Sequence, residues 1–196
     1  MNRLYMKSLS IAYHQGIGPL KLGMSPQEIL TAVEQLRAEA QLPTSTPVDI
    51  SRETVGPLTC IRYQGDEFFF LVHYYQDRAV EIGVDGELSH HLPILLHGLK
   101  VFQTPAEDLV NTLKAHSACI YDLEDEQLST EYLFPQLGLR LWREMPFHPK
   151  LLSDPAYCEE MAMVLDEMNA YLYFQLISVL DWETLEQVQP PGYLFQ

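Results

Sequence analysis

Apolar residues recur at helical spacing in two places, and each run follows the same four-residue opening. Ile29, Leu30, Val33 and Leu36 come after Ser25-Pro26-Gln27-Glu28, and Leu109, Val110 and Leu113 come after Thr104-Pro105-Ala106-Glu107. In such an S/T-P-x-E opening the hydroxyl caps a free backbone N–H of the first turn. The proline occupies a place where a missing N–H costs nothing, and the glutamate reaches back to the cap. The pattern therefore predicts amphipathic helices over roughly residues 26–40 and 105–116.

Between and after these helices the pattern changes to short runs of strand length. "LTCIRYQ", "EFFFLVHYY" and "RAVEIGVD" are divided by turns at Gly65-Asp66 and Gln76-Asp77, and "LPTSTPVDISRETVGP" before them reads as a loop. The second helix leads into "ACIYDLE", "TEYLFPQ" and "LGLRLWREM". A last section opens at Asp154-Pro155, with Met161, Val164, Leu165 and Met168 as the apolar stripe of a third helix. "YLYFQLISVL" then predicts a strand, and "QPPGYLFQ" a loop tail. The expected fold class is α+β, in one domain over residues 1–196. Two tandem helix-then-antiparallel-strand repeats, about 16–86 and 97–146, pack helices on antiparallel sheet, and a helix–strand extension covers 147–196.

Two stretches carry a resemblance. "GIGPLKLGMSPQEIL", from Gly16 to Leu30, resembles the G-I-G-x-I-K-L-G-M-S/T opening of a group of uncharacterised bacterial proteins. "YLFPQLGLRLWREM", from Tyr132 to Met145, resembles an F-P-E-L-G-x-x-x-W-R segment of the same group, some of which are associated with toxin-immunity neighbourhoods. The wider L-G-M-S/T pattern is similar to the helix start of small outer-membrane-assembly lipoproteins and of β-lactamase-inhibitor-like proteins, which sometimes occur in tandem copies. The chain has no lipobox cysteine, so an envelope role does not carry over. The resemblance implies a non-enzymatic α+β module, an immunity or inhibitor protein that neutralises a basic toxin.

Charge adds direction. Twelve Lys+Arg face 27 Asp+Glu, a net charge of −15, and no basic residue follows Lys150. Such a surface repels nucleic acid and anionic membrane and steers basic proteins towards itself. The expected partner is thus a basic protein. Asp122, Glu124, Asp125 and Glu126 would meet its Lys and Arg residues, Glu159, Glu160, Asp166 and Glu167 would extend the patch, and Trp142 would anchor it. No apolar run is long enough to span a bilayer, and Cys60, Cys119 and Cys158 are widely separated. With no secretion signal legible at the start, a cytoplasmic location is expected.

Motifs for catalysis are sparse. Gly16, Gly18 and Gly23 do not fit a phosphate-binding loop. His90, His91 and His97 cluster in "SHHLPILLH" without metal-ligand spacing, and adjacent histidines on an extended chain face opposite ways. No G-x-S-x-G is present, and Cys119 lies near His116 without a helix or strand that forces contact. Neither a cofactor nor a metal is expected. Two other readings stay open: a hydrolase using carboxylates or a His-bound metal, and a small-ligand sensing module.

Overall fold

The computed structural model describes residues 7–188. It begins with a narrow antiparallel ribbon, β1 (Leu9–Ala12), β2 (Gly16–Ile17) and β3 (Leu20–Lys21), that leads into α1 (Pro26–Glu39). The capping box forms as its sequence predicts. Glu28 N–H donates to Ser25 Oγ at 3.4 Å, and Ser25 N–H donates to the Glu28 carboxylate at 2.8 Å. A meander of four antiparallel strands follows: β4 (Asp49–Val55), β5 (Leu58–Gly65), β6 (Phe68–Tyr75) and β7 (Arg78–Asp85).

The second half starts with β8 (Ile94–Leu96) and β9 (Leu99–Lys100), and β8 lies parallel to β1 with Leu9 opposite Ile94. α2 (Ala106–Lys114) comes next, then β10 (Ile120–Tyr121), β11 (Glu131–Phe134) and β12 (Leu139–Trp142). Two short helices, α3 (Pro155–Glu160) and α4 (Leu165–Met168), precede β13 (Leu176–Leu180), and α5 (Trp182–Val188) ends the described chain. The long strands form one eight-stranded sheet in the order β10-β11-β12-β13-β7-β6-β5-β4, antiparallel at every pairing. The short ones form a five-stranded sheet, β3-β2-β1-β8-β9.

Strand register explains the core. Side chains alternate between faces, so Tyr63, Phe70, Val84, Ile177, Leu141 and Tyr132 fall on one side of successive strands. All are buried and pack against Ile29, Val33, Leu36, Leu109 and Leu113 from the two long helices. The opposite face is covered at one end only, where α5 lays Leu185 over Leu58, Val80, Leu133 and Leu180.

Four sequence expectations need correction. Asp49–Val55 is a strand inside the stretch read as a loop. It is the sheet's edge, exposed along nearly its whole length, so no apolar alternation betrays it. Thr104 does not cap α2: its hydroxyl donates to the Lys100 carbonyl at 2.9 Å, because a 3-10 turn at Val101–Gln103 folds the chain back beneath it. The third helix breaks between α3 and α4, since its apolar stripe has nothing to cover. Met163 is 98% exposed, and only Met168 of the predicted stripe is buried. The predicted last strand is confined to Leu176–Leu180, and it is no appendage, for it lies between β12 and β7 in the middle of the sheet. The predicted tail loop falls outside the described residues.

Candidate functional site

The uncovered part of the outer sheet face carries an unusual row of ionisable groups. Cys60, His73 and Glu81 are directly opposite one another on β5, β6 and β7. Arg140 on β12 stands opposite Ser178 on β13, which stands opposite Gly83 on β7. A Cβ at Gly83 would lie 2.7 Å from Ser178 Oγ, so only glycine fits there, and the middle of the face is low. Long side chains from both flanks close over this dip and meet as ions.

The contacts alternate in sign across the seam between the two meanders. His73 Nδ1 lies 3.0 Å from Glu81 Oε2, Glu81 Oε1 lies 3.3 Å from Arg140 Nη1, and Arg140 Nε lies 2.9 Å from Glu131 Oε1. Glu81 is 1% exposed, Glu131 7% and His73 8%. Burial by itself would raise Glu81, but Arg140 and His73 hold it below the usual carboxylate range. Burial would likewise lower His73, yet Glu81 holds its imidazole charged well above the ordinary histidine range. Glu131 is the weak link. Burial pushes it up to about 7; Arg140 opposes this, while Glu81 and Asp122 reinforce it.

Above this row is an open groove of about 600 Å³. Arg62 and Glu53, paired at 2.6 Å, form one wall together with Phe69 and Leu71, and Trp142 and Leu176 stand on the other side. Cys60, His73 and Glu81 have the order of a nucleophile, an imidazole and an orienting carboxylate. However, Cys60 is 2% exposed, and β5 is paired on both sides, which leaves no backbone N–H there to receive an oxyanion. The groove is better provided for holding a ligand than for attacking one.

Of the residues singled out in the sequence, the structure brings Asp122 and Trp142 to this groove. Trp142 is 37% exposed. Asp122 accepts backbone N–H bonds from Thr130 at 2.9 Å and Glu131 at 3.0 Å, which keeps its carboxyl ionised despite part burial. Asp125 is held by Lys150 and by Gln127 N–H, and Glu126 meets Lys114 at 2.8 Å. Much of the acidic turn is thus engaged within the chain, and Glu124 alone of the four has no ion pair or hydrogen bond among the described residues. Glu159, Glu160, Asp166 and Glu167 are exposed on α3 and α4, away from the groove lining.

His73, Glu81, Glu131 and Arg140 were passed over in the sequence. Their signal was a single ionisable residue set in an otherwise apolar strand, as in "FFFLVHYY" and "LRLW". The clustered histidines diverge: His90 faces Glu87, His91 faces Glu67, and His97 meets Tyr13. The "FPQLGLRLWR" stretch has a structural reading. Gly138 adopts left-handed φ of +58° where a Cβ would strike the Leu180 carbonyl at 2.6 Å. Arg143, buried, donates to the carbonyls of Gln127, Ser129 and Phe147.

No family model and no curated protein matches the sequence. Solved structures that match this chain in part include an extracellular protein containing a SCP domain from Bacillus anthracis str. Ames, at 12% identity and a TM-score of 0.46, with 84% of this chain and 45% of that one covered. Another is a cysteine-rich secretory protein from Staphylococcus aureus subsp. aureus Mu50, at 13% identity and a TM-score of 0.42, with 94% and 52% covered. The chain spans about half the length of these two proteins. Both are described as extracellular or secretory proteins, against the cytoplasmic placement expected from the sequence, and that placement is withdrawn.

Proposed function

We propose that this chain is a non-enzymatic protein-binding module that receives a basic partner on the open face of its eight-stranded sheet, in the manner of an inhibitor or immunity protein. The observation that carries the reading is the groove itself. A sheet face is ordinarily covered or plainly polar, and this one combines a half-exposed Trp142, partly exposed Phe69, Leu71 and Leu176, and ions already paired beneath them. Aromatic anchors above preorganised charges are the usual makings of a binding surface. The net charge of −15 supports a basic partner. We also read the two helix-then-antiparallel-strand segments, about 16–86 and 97–146, as copies of one unit.

The test is capture of basic proteins by immobilised chain, comparing wild type with Trp142→Ala and with a Glu159→Lys/Glu160→Lys double variant. The groove reading expects retention to be lost with Trp142→Ala and kept with the double variant. The reverse result moves the interface to the acidic C-terminal helices. Equal retention by all three reduces the acidity to a matter of solubility.

A further inference from the structure

Resting on that binding reading, we propose that the groove takes an extended peptide segment of the partner and lodges one of its lysine or arginine side chains between Trp142 and the carboxylates of Glu131 and Asp122. Trp142 and Glu131 are directly opposite on β12 and β11, so their side chains are neighbours on the groove face. Asp122 is tied to the same place by its bonds to the N–H groups of Thr130 and Glu131. An indole face beside two carboxylates suits a flat or compact cation and has little to offer an anion.

The charge count of the groove agrees. Glu53 and Arg62 neutralise each other on one wall, and His73 and Arg140 balance Glu81 and Glu131 on the floor. Asp122 is then left over, its bonds coming from neutral donors, and the site is short of one positive charge. Burial is the main reason that Glu131 holds its proton more tightly, and Glu81 and Asp122 add to it against Arg140 alone.

A second, independent observation says that the occupant brings peptide groups as well as a cation. Among the described residues, Arg140 Nη2 has no hydrogen-bond partner, whereas the Ser178 hydroxyl supports the Glu81 carboxylate. Arg140 lines the groove, while Ser178 and Glu81 are buried beneath it. Buried polar atoms are rarely left unpaired. The floor lacks an acceptor for Arg140, and a main-chain carbonyl of the occupant supplies one. A volume of about 600 Å³ lies in the range of ordinary ligand sites.

The experiment uses a short capped peptide with one arginine flanked by threonines, against its counterpart with neutral citrulline. Binding is followed by calorimetry and by the indole N–H resonance of Trp142, assigned with a Trp182→Phe variant. The arginine peptide is expected to shift that resonance and to bind about tenfold more tightly than the citrulline peptide, as one charge-assisted contact allows. Its affinity should rise between about pH 6 and about pH 8 as Glu131 ionises, with His73, Arg140, Arg62, Glu81, Asp122 and Glu53 as the other charged groups that face the site. Glu131→Gln should abolish both the arginine preference and the pH dependence without weakening the citrulline peptide. If Glu131→Gln does not fold, Trp142→Ala provides the same comparison at a half-exposed site, with the arginine preference reduced. Equal affinity for the two peptides, or binding that leaves Trp142 unmoved, overturns the cation site while the groove reading stands on the capture result. Absence of binding by either peptide overturns the peptide proposal, and the groove reading then falls only if Trp142→Ala also leaves capture unchanged.

Discussion

The two faces of the eight-stranded sheet are built from the same strands yet obey different rules. On the inner face, every central strand contributes apolar side chains that two helices cover, and the stabilising effect is burial. On the outer face the central positions are Cys60, His73, Glu81, Ser178, Arg140 and Glu131, and the effect is mutual compensation of charge. A buried ion pair adds little net stability, because desolvation cancels most of the attraction. The outer face therefore looks like a surface kept for a use other than holding the fold, and the inner face like one kept for nothing else.

The largest expected effect falls on the inner face. Phe70 is fully buried, and Phe70→Ala should lower unfolding free energy by about 3–5 kcal/mol in a denaturant titration. Arg140→Met should come next, at about 3 kcal/mol, because it leaves Glu131 buried without a compensating cation and Glu81 with His73 alone. If Arg140→Met were neutral, the row of charges would not be interdependent, and the contrast between the faces would fail.

A third effect is visible in the pH dependence of stability. The folded-state affinity of Glu131 for its proton is raised from the ordinary 4.5 to about 7. Its contribution is complete below pH 4.5 and is lost as the pH rises towards 7. His73 is also raised, so its contribution is complete below its ordinary 6.5 and fades above it. Glu81 is lowered, and its contribution is present above 4.5 and fades as the medium becomes more acid. Stability should accordingly peak in mild acid, and Glu131→Gln should flatten the limb between pH 4.5 and 7, as thermal melts across that range would show. The smallest effect sharpens the comparison most. Phe69 is next to Phe70 but points to the groove, and Phe69→Ala should cost under about 1 kcal/mol. A loss comparable to that of Phe70→Ala would mean that both faces are core.

Much of the inner face was legible in the sequence, and much of the outer face was not. Strands such as "FFFLVHYY" announce themselves by apolar content, and Ser25 announces a helix by local bonding. Thr104 shows the limit of that method, because a turn three residues upstream decides where its hydroxyl points. β4 was missed because an exposed edge strand is held by backbone bonds to a neighbour and leaves no trace in side-chain pattern. The groove was half legible. Asp122 and Trp142 stand out by type, whereas Glu81 and Arg140 become partners only when strands from the two halves meet at β7, β13 and β12.

That meeting has a consequence for the order of events during synthesis. β13 follows β12 in the chain, yet it separates β7 from β12, and its Ser178 lies between Gly83 and Arg140. A nascent chain that has emerged only as far as β12 has two half-sheets, each with an unpaired edge where β13 belongs. Such edges invite wrong pairing with other chains. Glu81, already on β7, has no Arg140 across the gap until the last strand seats. The groove floor consequently comes into existence only when β13 seats, and a chain that stops short of β13 has no such floor.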